Sequence, residues 1–331
     1  MTQKASEPIG RIGEIELIRR LCRALPTRSD VAAGPGDDCA VVRARGGRYD
    51  WLLKADPVIE GIHFRPDAAG RRIGRKAIGR VLSDIAAMGG EPLWVLVDLA
   101  APPDTPVERM NGLMAGLAAR ARRAGAAVVG GDVSAGPALE AHVFAVGRVE
   151  KGKAVLRSGA RPGDALFVTG SLGGSGAGKH LDFVPRLAEG RWLARAGWAR
   201  AMMDLSDGLA ADLPRLCQAS RVGACLDLNA IPVAPALKRL RARSEWMRRA
   251  LTDGEDYELL LAVSPARAPA LARAWRRTWR IRLTRIGVCT DAAGIVEGRD
   301  ADGRSRPLGV SGFEHFVRSR PLRAKRTGGA G

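Results

Sequence analysis

Hydrophobic positions fall at helical spacing between residues 12 and 24, where Ile15, Leu17, Ile18, Leu21 and Cys22 share one face. The same period returns at 73–88 and 107–123. The apolar runs around them are short and strand-like, at 51–54, 93–99, 126–129 and 142–147. The second half repeats the scheme. Strands are predicted at 165–169, 225–228, 259–263 and 281–288, with helices at 209–217 and 268–277, the latter admitting Pro269 in its first turn. Residues 148–152 read as the link between the halves. The pattern predicts an α/β (α+β) chain of two domains, 1–148 and 149–318. A basic, glycine-rich tail over 319–331 is expected to be disordered.

Acids recur where these elements end. Gly36-Asp37-Asp38 opens a strand, Asp56-Pro57 reads as a turn after one, and Gly130-Gly131-Asp132 closes another. Asp84 sits near the end of the 73–88 helix, where the dipole disfavours a negative charge, so its role lies outside helix stability. Asp204-Leu-Ser206-Asp207-Gly208 precedes the 209–217 helix. Ser206 or Asp207 serves as its N-cap in the simplest reading, which accounts for one of these residues and not for all.

Counting Glu255, seven carboxylates (Asp38, Asp56, Asp84, Asp132, Asp204, Asp207, Glu255) have this placement. Gathered in one cleft they repel one another unless several divalent cations intervene. Magnesium combines a few carboxylates with substrate phosphate oxygens, which implies a polyphosphate ligand. No Ser-His-Asp or Cys-His constellation is evident, and phosphoryl transfer asks mainly for positioning and charge neutralisation. Gly173 to Lys179 fits GxxxxGK after a strand, but His180 stands where a P-loop has a magnesium-binding hydroxyl, so a close-packed glycine turn is expected instead. The residues thus describe a magnesium–nucleotide enzyme without a P-loop.

Composition narrows the setting. The 331 residues carry a net charge of +18, but the basic residues are mostly Arg, spread along helical segments with no nucleic-acid motif. No specific nucleic-acid partner is expected. No apolar run reaches the roughly 18–20 residues of a membrane span, so no membrane association is expected either. The first ten residues lack the basic-then-apolar layout of a signal peptide, and a cytoplasmic location is the expectation. Five scattered cysteines without CxxC spacing are expected to be reduced, with no disulfide framework and no zinc site.

Certain blocks together carry a resemblance: Gly36-Asp-Asp-Cys-Ala-Val41, Asp56 with Glu60-Gly-Ile-His63-Phe64, Leu82-Ser-Asp-Ile-Ala-Ala-Met-Gly89 and Gly130-Gly-Asp132. Arg157-Ser-Gly-Ala160, Asp204-Leu-Ser-Asp-Gly208, Gly254-Glu-Asp-Tyr-Glu-Leu259 and Gly312-Phe-Glu-His-Phe316 complete it. The chain resembles the thiamine-monophosphate kinase family, in the superfamily of aminoimidazole ribonucleotide synthetase and selenophosphate synthetase. The likeness runs from about Gly13 to Phe316.

The resemblance implies two synthetase-like domains with the active site between them, and a homodimer paired through the N-terminal one. It implies ATP-dependent phosphorylation of thiamine monophosphate to thiamine diphosphate, by direct in-line transfer with several Mg²⁺ ions. Asp38, Asp56, Asp84, Asp132, Asp204 and Asp207 are then the metal ligands. Gly131, Asp132, Arg157 and Ser206 contact ATP, His63, Glu255 and Phe313 hold thiamine monophosphate, and Asp207 and Arg157 act in catalysis. One departure stands out: the residues before the aspartate are commonly hydroxylic in the family, and here they are Lys54 and Ala55. Lys54 is then either a local cation beside the phosphates or a residue turned to solvent. Two other readings are another ATP-using enzyme of the superfamily, and a non-catalytic ligand- or RNA-binding relative.

Overall fold

A computed structural model describes residues 8–240 and 242–316; the predicted tail at 319–331 lies outside them. The described chain forms a small unit, residues 8–27 with 314–316, and a large one, residues 28–313. In the small unit the predicted first helix is broken. Gly13 at φ 75° separates a single turn, Ile9–Ile12, from α1 (Glu14–Cys22). Glu14 ties the ends of this unit together, its N–H donating to Glu314 and its carboxylate accepting from the His315 N–H.

The large unit holds two sheets. The first has strands β1 (Val31–Ala33), β2 (Ala40–Arg43), β3 (Tyr49–Ile59), β4 (Glu91–Ala101), β5 (Ala127–Ala135) and β6 (Glu140–Glu150). They lie in the order β1-β2-β3-β6-β4-β5, antiparallel except for the β4–β5 pair. Buried residues alternate along β4 and β6, as they must when one face is covered. The cover is α2 (Gly70–Ala87) and α3 (Val107–Ala124). The other face is open, with Trp94 and Leu96 exposed on it.

Three sequence expectations are corrected here. Asp56-Pro57 is no turn, because β3 runs on to Ile59 in register with β6. Pairing with β2 stops at Leu53, so from Lys54 onward β3 is an edge on that side, where a proline is tolerated. Gly130, Gly131 and Asp132 lie inside β5 rather than after it; a Cβ on Gly131 would come within 1.8 Å of the Val97 carbonyl, so this glycine lets β5 approach β4. Arg148 to Glu150 belong to β6, and the connection begins at Lys151.

The second sheet comprises β7 (Ala165–Thr169), β8 (Ala201–Asp204), β9 (Gly223–Asp227), β10 (Leu259–Val263), β11 (Leu283–Thr290), β12 (Val296–Arg299) and β13 (Ser305–Pro307), ordered β13-β12-β9-β11-β7-β10-β8. β7, β8 and β10 are buried on both faces, which is why they read as unbroken apolar runs. α4 (Leu187–Arg195) and α7 (Ala268–Thr278) cover one face. α5 (Leu209–Ser220) and α6 (Arg243–Thr252) cover the other. The start of α5 corrects another expectation. Gly208 is its N-cap, with no side-chain capping bond from Ser206 or Asp207. No helix among the described residues is long and apolar enough to cross a membrane, and all five cysteines are free thiols.

α2 joins the two halves. Fourteen of its residues are buried, and small residues set its neighbours close. A Cβ on Gly74 would lie 1.9 Å from the Leu113 carbonyl of α3, and one on Gly190 of α4 would lie 2.1 Å from the Ala86 carbonyl. The helix is thus gripped from both domains, and its polar residues are presented at a fixed place between the sheets.

Candidate active site

Lys76, Arg80 and Asp84 stand four residues apart on α2, so they share one stripe spanning about 12 Å at 1.5 Å per residue. Each end of the stripe meets a different set of partners.

At the C-terminal end, Asp84 joins Asp38, from the turn before β2, and Asp204, the last residue of β8. All three are buried, and one carboxylate oxygen from each lies within 4.8 Å of the others. Ser83 donates to Asp204 Oδ2 at 2.6 Å, and Arg157 Nε donates to Asp38 Oδ1 at 3.1 Å. Asp38 Oδ2 is buried with no hydrogen-bond partner. Burial, with repulsion from Asp56, Asp204 and Asp38, raises Asp84 well above the ordinary carboxylate range, despite Lys54. Burial and Asp38 raise Asp204 to about 7. Three buried carboxylates brought this close, one with an orphaned oxygen, fit a hard divalent cation ligated by oxygen.

Asp56 stands one step away. Lys54 Nζ is 3.0 Å from Asp84 Oδ1 and 3.7 Å from Asp56 Oδ1, and Arg80 Nε is 3.6 Å from Asp56 Oδ2. Burial alone would lower Lys54, but Asp84 and Asp56 outweigh it and hold the ammonium above the ordinary lysine value. Lys54 therefore points into the site.

At the other end, Lys76 is fully buried. Its Nζ donates to the His63 carbonyl at 2.5 Å, lies 2.7 Å from His180 Nδ1 and pairs with Glu255 Oε1. His180 Nδ1 is also 3.1 Å from Glu255 Oε2. Burial would raise Glu255, but the His180 hydrogen bond and the Lys76 charge bring it down to about 2. Lys76 itself is lowered to about 8, because desolvation outweighs its partner. His63 Nδ1 accepts from the Ile59 N–H at 3.1 Å, which leaves the proton of the neutral ring on Nε2. Glu255 and Tyr257 both adopt positive φ, each at 52°, on a loop laid along the end of β8: the Glu255 N–H donates to the Ser206 carbonyl and the Tyr257 N–H to that of Leu205. The strain is absorbed by these bonds and by stacking of Tyr257 on Phe183 at 3.8 Å.

The remaining expected residues are placed less centrally. Asp207 pairs with Arg215, receives no capping role, and accepts the Phe313 N–H on its carbonyl at 2.9 Å. Its own N–H donates to the buried Asp212 at 2.9 Å. Phe313 is half exposed. Gly131 and Asp132 lie on the exposed strand β5, and the group of three buried acids does not include Asp132.

Residues 36–149 match the AIR synthase related proteins, N-terminal domain, and residues 161–298 match their C-terminal domain. The thiamine-monophosphate kinase of Rhodopirellula baltica is 35% identical over 309 residues, covering 90% of this chain and 95% of its own. That of Escherichia coli K12 is 34% identical, covering 92% and 98%. The chain belongs to the thiamine-monophosphate kinase family. Among solved structures, AaThiL complexed with AMPPCP and TMP superposes with a TM-score of 0.80 at 29% identity, over 95% of this chain and all of that one.

Three residues of the candidate site escape the sequence reading, Lys76, Arg80 and His180, while Lys54 takes the inward one of the two orientations left open for it. The signal for the first two was available, since a lysine four residues before an arginine and eight before Asp84 breaks the apolar face of the 73–88 helix. His180 registers in the sequence only as a missing hydroxyl. Lys179, beside it, donates to the Ser171 carbonyl at 2.5 Å and to Asp256 Oδ1 at 2.9 Å, so the GxxxxGK stretch closes on itself, as a glycine turn should.

Proposed function

We propose that this chain transfers the terminal phosphoryl group of ATP directly to thiamine monophosphate, giving thiamine diphosphate and ADP. One observation carries the reading: a single helix stripe links a buried carboxylate group suited to cation-bound phosphates with a second polar group built on Glu255 and His63. Asp38, Asp56, Asp84, Asp132, Asp204 and Asp207 would hold Mg²⁺, which when bound neutralises the ATP phosphates and the charge that develops in transfer. Gly131, Asp132, Arg157 and Ser206 would hold ATP. Arg157, fixed by Asp38, presents a permanent cation to phosphate oxygens, and Asp207 shares the catalytic role with it. Glu255, kept ionised by Lys76 and His180, faces the cationic or amino side of the thiamine moiety. His63 would hold its phosphate, and the half-exposed ring of Phe313 would stack on the thiamine heterocycle.

The same reading includes a cytoplasmic homodimer. Strand β5 is exposed at all nine positions, its Val129 and Val133 included, and the open sheet face beside it carries Trp94 and Leu96. An edge of that length, with an apolar face, is ordinarily covered by a second chain. Light scattering should return twice the 35.1 kDa of the chain.

Incubation with ATP, Mg²⁺ and thiamine monophosphate tests the activity. Thiamine diphosphate and ADP appearing in equal amounts is the expected result. ADP and free phosphate without thiamine diphosphate would remove thiamine monophosphate as acceptor.

A further inference from the structure

Lys54 and Asp56 are two residues apart on β3, so their side chains leave the strand on one face, toward Asp84 of α2. In the segment 54–56 only Asp56 supplies a side-chain oxygen; Ala55 has none to give. A magnesium ion shared by Asp56 and Asp84 would need to sit about 2 Å from an oxygen of each. The Lys54 ammonium already occupies that interval, 3.0 Å from Asp84 and 3.7 Å from Asp56. It is fixed there from a strand paired residue by residue with β6, and its side chain is only 23% exposed. Of the other cations nearby, Arg157 pairs with Asp38 and Arg80 with Asp56.

We propose that Lys54 is a built-in cation of the phosphate site, holding the place between Asp56 and Asp84 that a divalent ion would otherwise take. An ammonium has three donors. One meets Asp84 at 3.0 Å, Asp56 is held as an ion pair at 3.7 Å, and a further donor is directed at a phosphate oxygen of the nucleotide. The chain therefore assembles its ATP complex with one divalent ion fewer than it would without the lysine.

The proposal rests on the nucleotide reading above but not on the acceptor, and its test omits thiamine monophosphate. Mn²⁺ bound per chain is counted by electron paramagnetic resonance with a non-hydrolysable ATP analogue, for the unmodified protein, Lys54→Ser and Lys54→Arg. Lys54→Ser is expected to bind one more Mn²⁺ per chain, and to need at least fivefold more Mg²⁺ for half-maximal thermal protection by the analogue. Lys54→Arg is expected to match the unmodified count. Equal counts in folded Lys54→Ser and unmodified protein overturn the proposal. Should Lys54→Ser fail to fold, anomalous diffraction from the unmodified protein with Mn²⁺ and the analogue decides: a Mn²⁺ peak bridging Asp56 and Asp84 overturns it, and Lys54 Nζ there without a peak supports it. Failure to bind the analogue at all would instead remove the nucleotide reading, while Mn²⁺ alone still reports whether an ion bridges the two acids.

Discussion

Lys54 and Lys76 are both drawn into the protein beside carboxylates, at opposite ends of the same stripe, and they end in opposite states. Lys54 faces two acids, Asp84 and Asp56, with Asp38 and Asp204 close behind, and the accumulated negative charge overrides desolvation. Lys76 faces one acid, Glu255, which it shares with His180, and Arg80 one turn along α2 opposes its charge. Desolvation then wins, and its proton is held only to about pH 8. The local balance of acids decides whether a buried lysine is a fixed cation or a titrating group. Lys54 is therefore a fixed cation in the neutral range, while Lys76 is poised near it.

The acid-rich end should show the largest effects. Asp84→Asn and Asp207→Asn should each lower kcat by about a thousandfold, the scale of losing a preorganised charge contact in a site excluded from water. Far-ultraviolet circular dichroism should remain that of the folded protein. Wild-type-like turnover in both variants would sink the carboxylate-site reading.

Lys76→Met acts on the opposite end and should separate the two. With the ammonium gone, Glu255 keeps His180 but loses its closest cation, and the His63 carbonyl loses its donor. KM for thiamine monophosphate should rise about tenfold, near the 1.4 kcal/mol of a weakened charged hydrogen bond, with kcat and KM for ATP within about threefold. A loss confined to kcat would place Lys76 with the phosphates instead.

The titration of Lys76 gives a milder version of the same break. Below about pH 8 it is an ammonium and secures Glu255; above, that contact is lost, so kcat/KM for thiamine monophosphate should fall along an alkaline limb near 8. Stability should move the other way. The ordinary value is 10.5, so between about 8 and 10.5 the unfolded chain binds more protons at this lysine than the folded one. Its contribution to stability accordingly rises with pH across that window. Lys76→Arg, which does not titrate in this range, should remove the limb.

Much of the acid-rich end is legible in the sequence, because Asp38, Asp84 and Asp204 stand beside glycines or element ends where a carboxylate has no structural duty. The Lys76 end is not. Its members come from α2, from the short helix Lys179–Asp182 and from the loop before β10, and only the fold brings Lys76, His180 and Glu255 together. Strand limits fail for a related reason. Lys54, Asp56 and Pro57 weaken the strand signal of β3, yet pairing with β6 carries it through to Ile59, which puts these very residues at the site. The exposure of β5 is equally hidden, since an exposed valine and a buried one look alike in sequence.

Lys179 supplies a third lysine, and the smallest expected effect on turnover. In a P-loop this residue would reach the phosphates and its loss would cost most of the activity. Here its Nζ is held by the Ser171 carbonyl and by Asp256, whose carboxylate also accepts the Gly173 N–H at 2.8 Å. Lys179→Met should therefore leave kcat within about threefold and act on stability. Burial already raises Asp256 to about 7 even with Lys179 beside it, so between its ordinary value of 3.8 and about 7 the folded chain binds the extra proton. Stability from this group falls across that window as pH rises and is level above it. Without Lys179 the carboxyl must rise further, so the loss should continue past pH 7. The melting temperature of Lys179→Met should then lie close to the unmodified value at pH 5.5 and a few degrees below it at pH 8. A gap of equal size at both pH values would mean that Lys179 acts through packing of the glycine turn, not through Asp256.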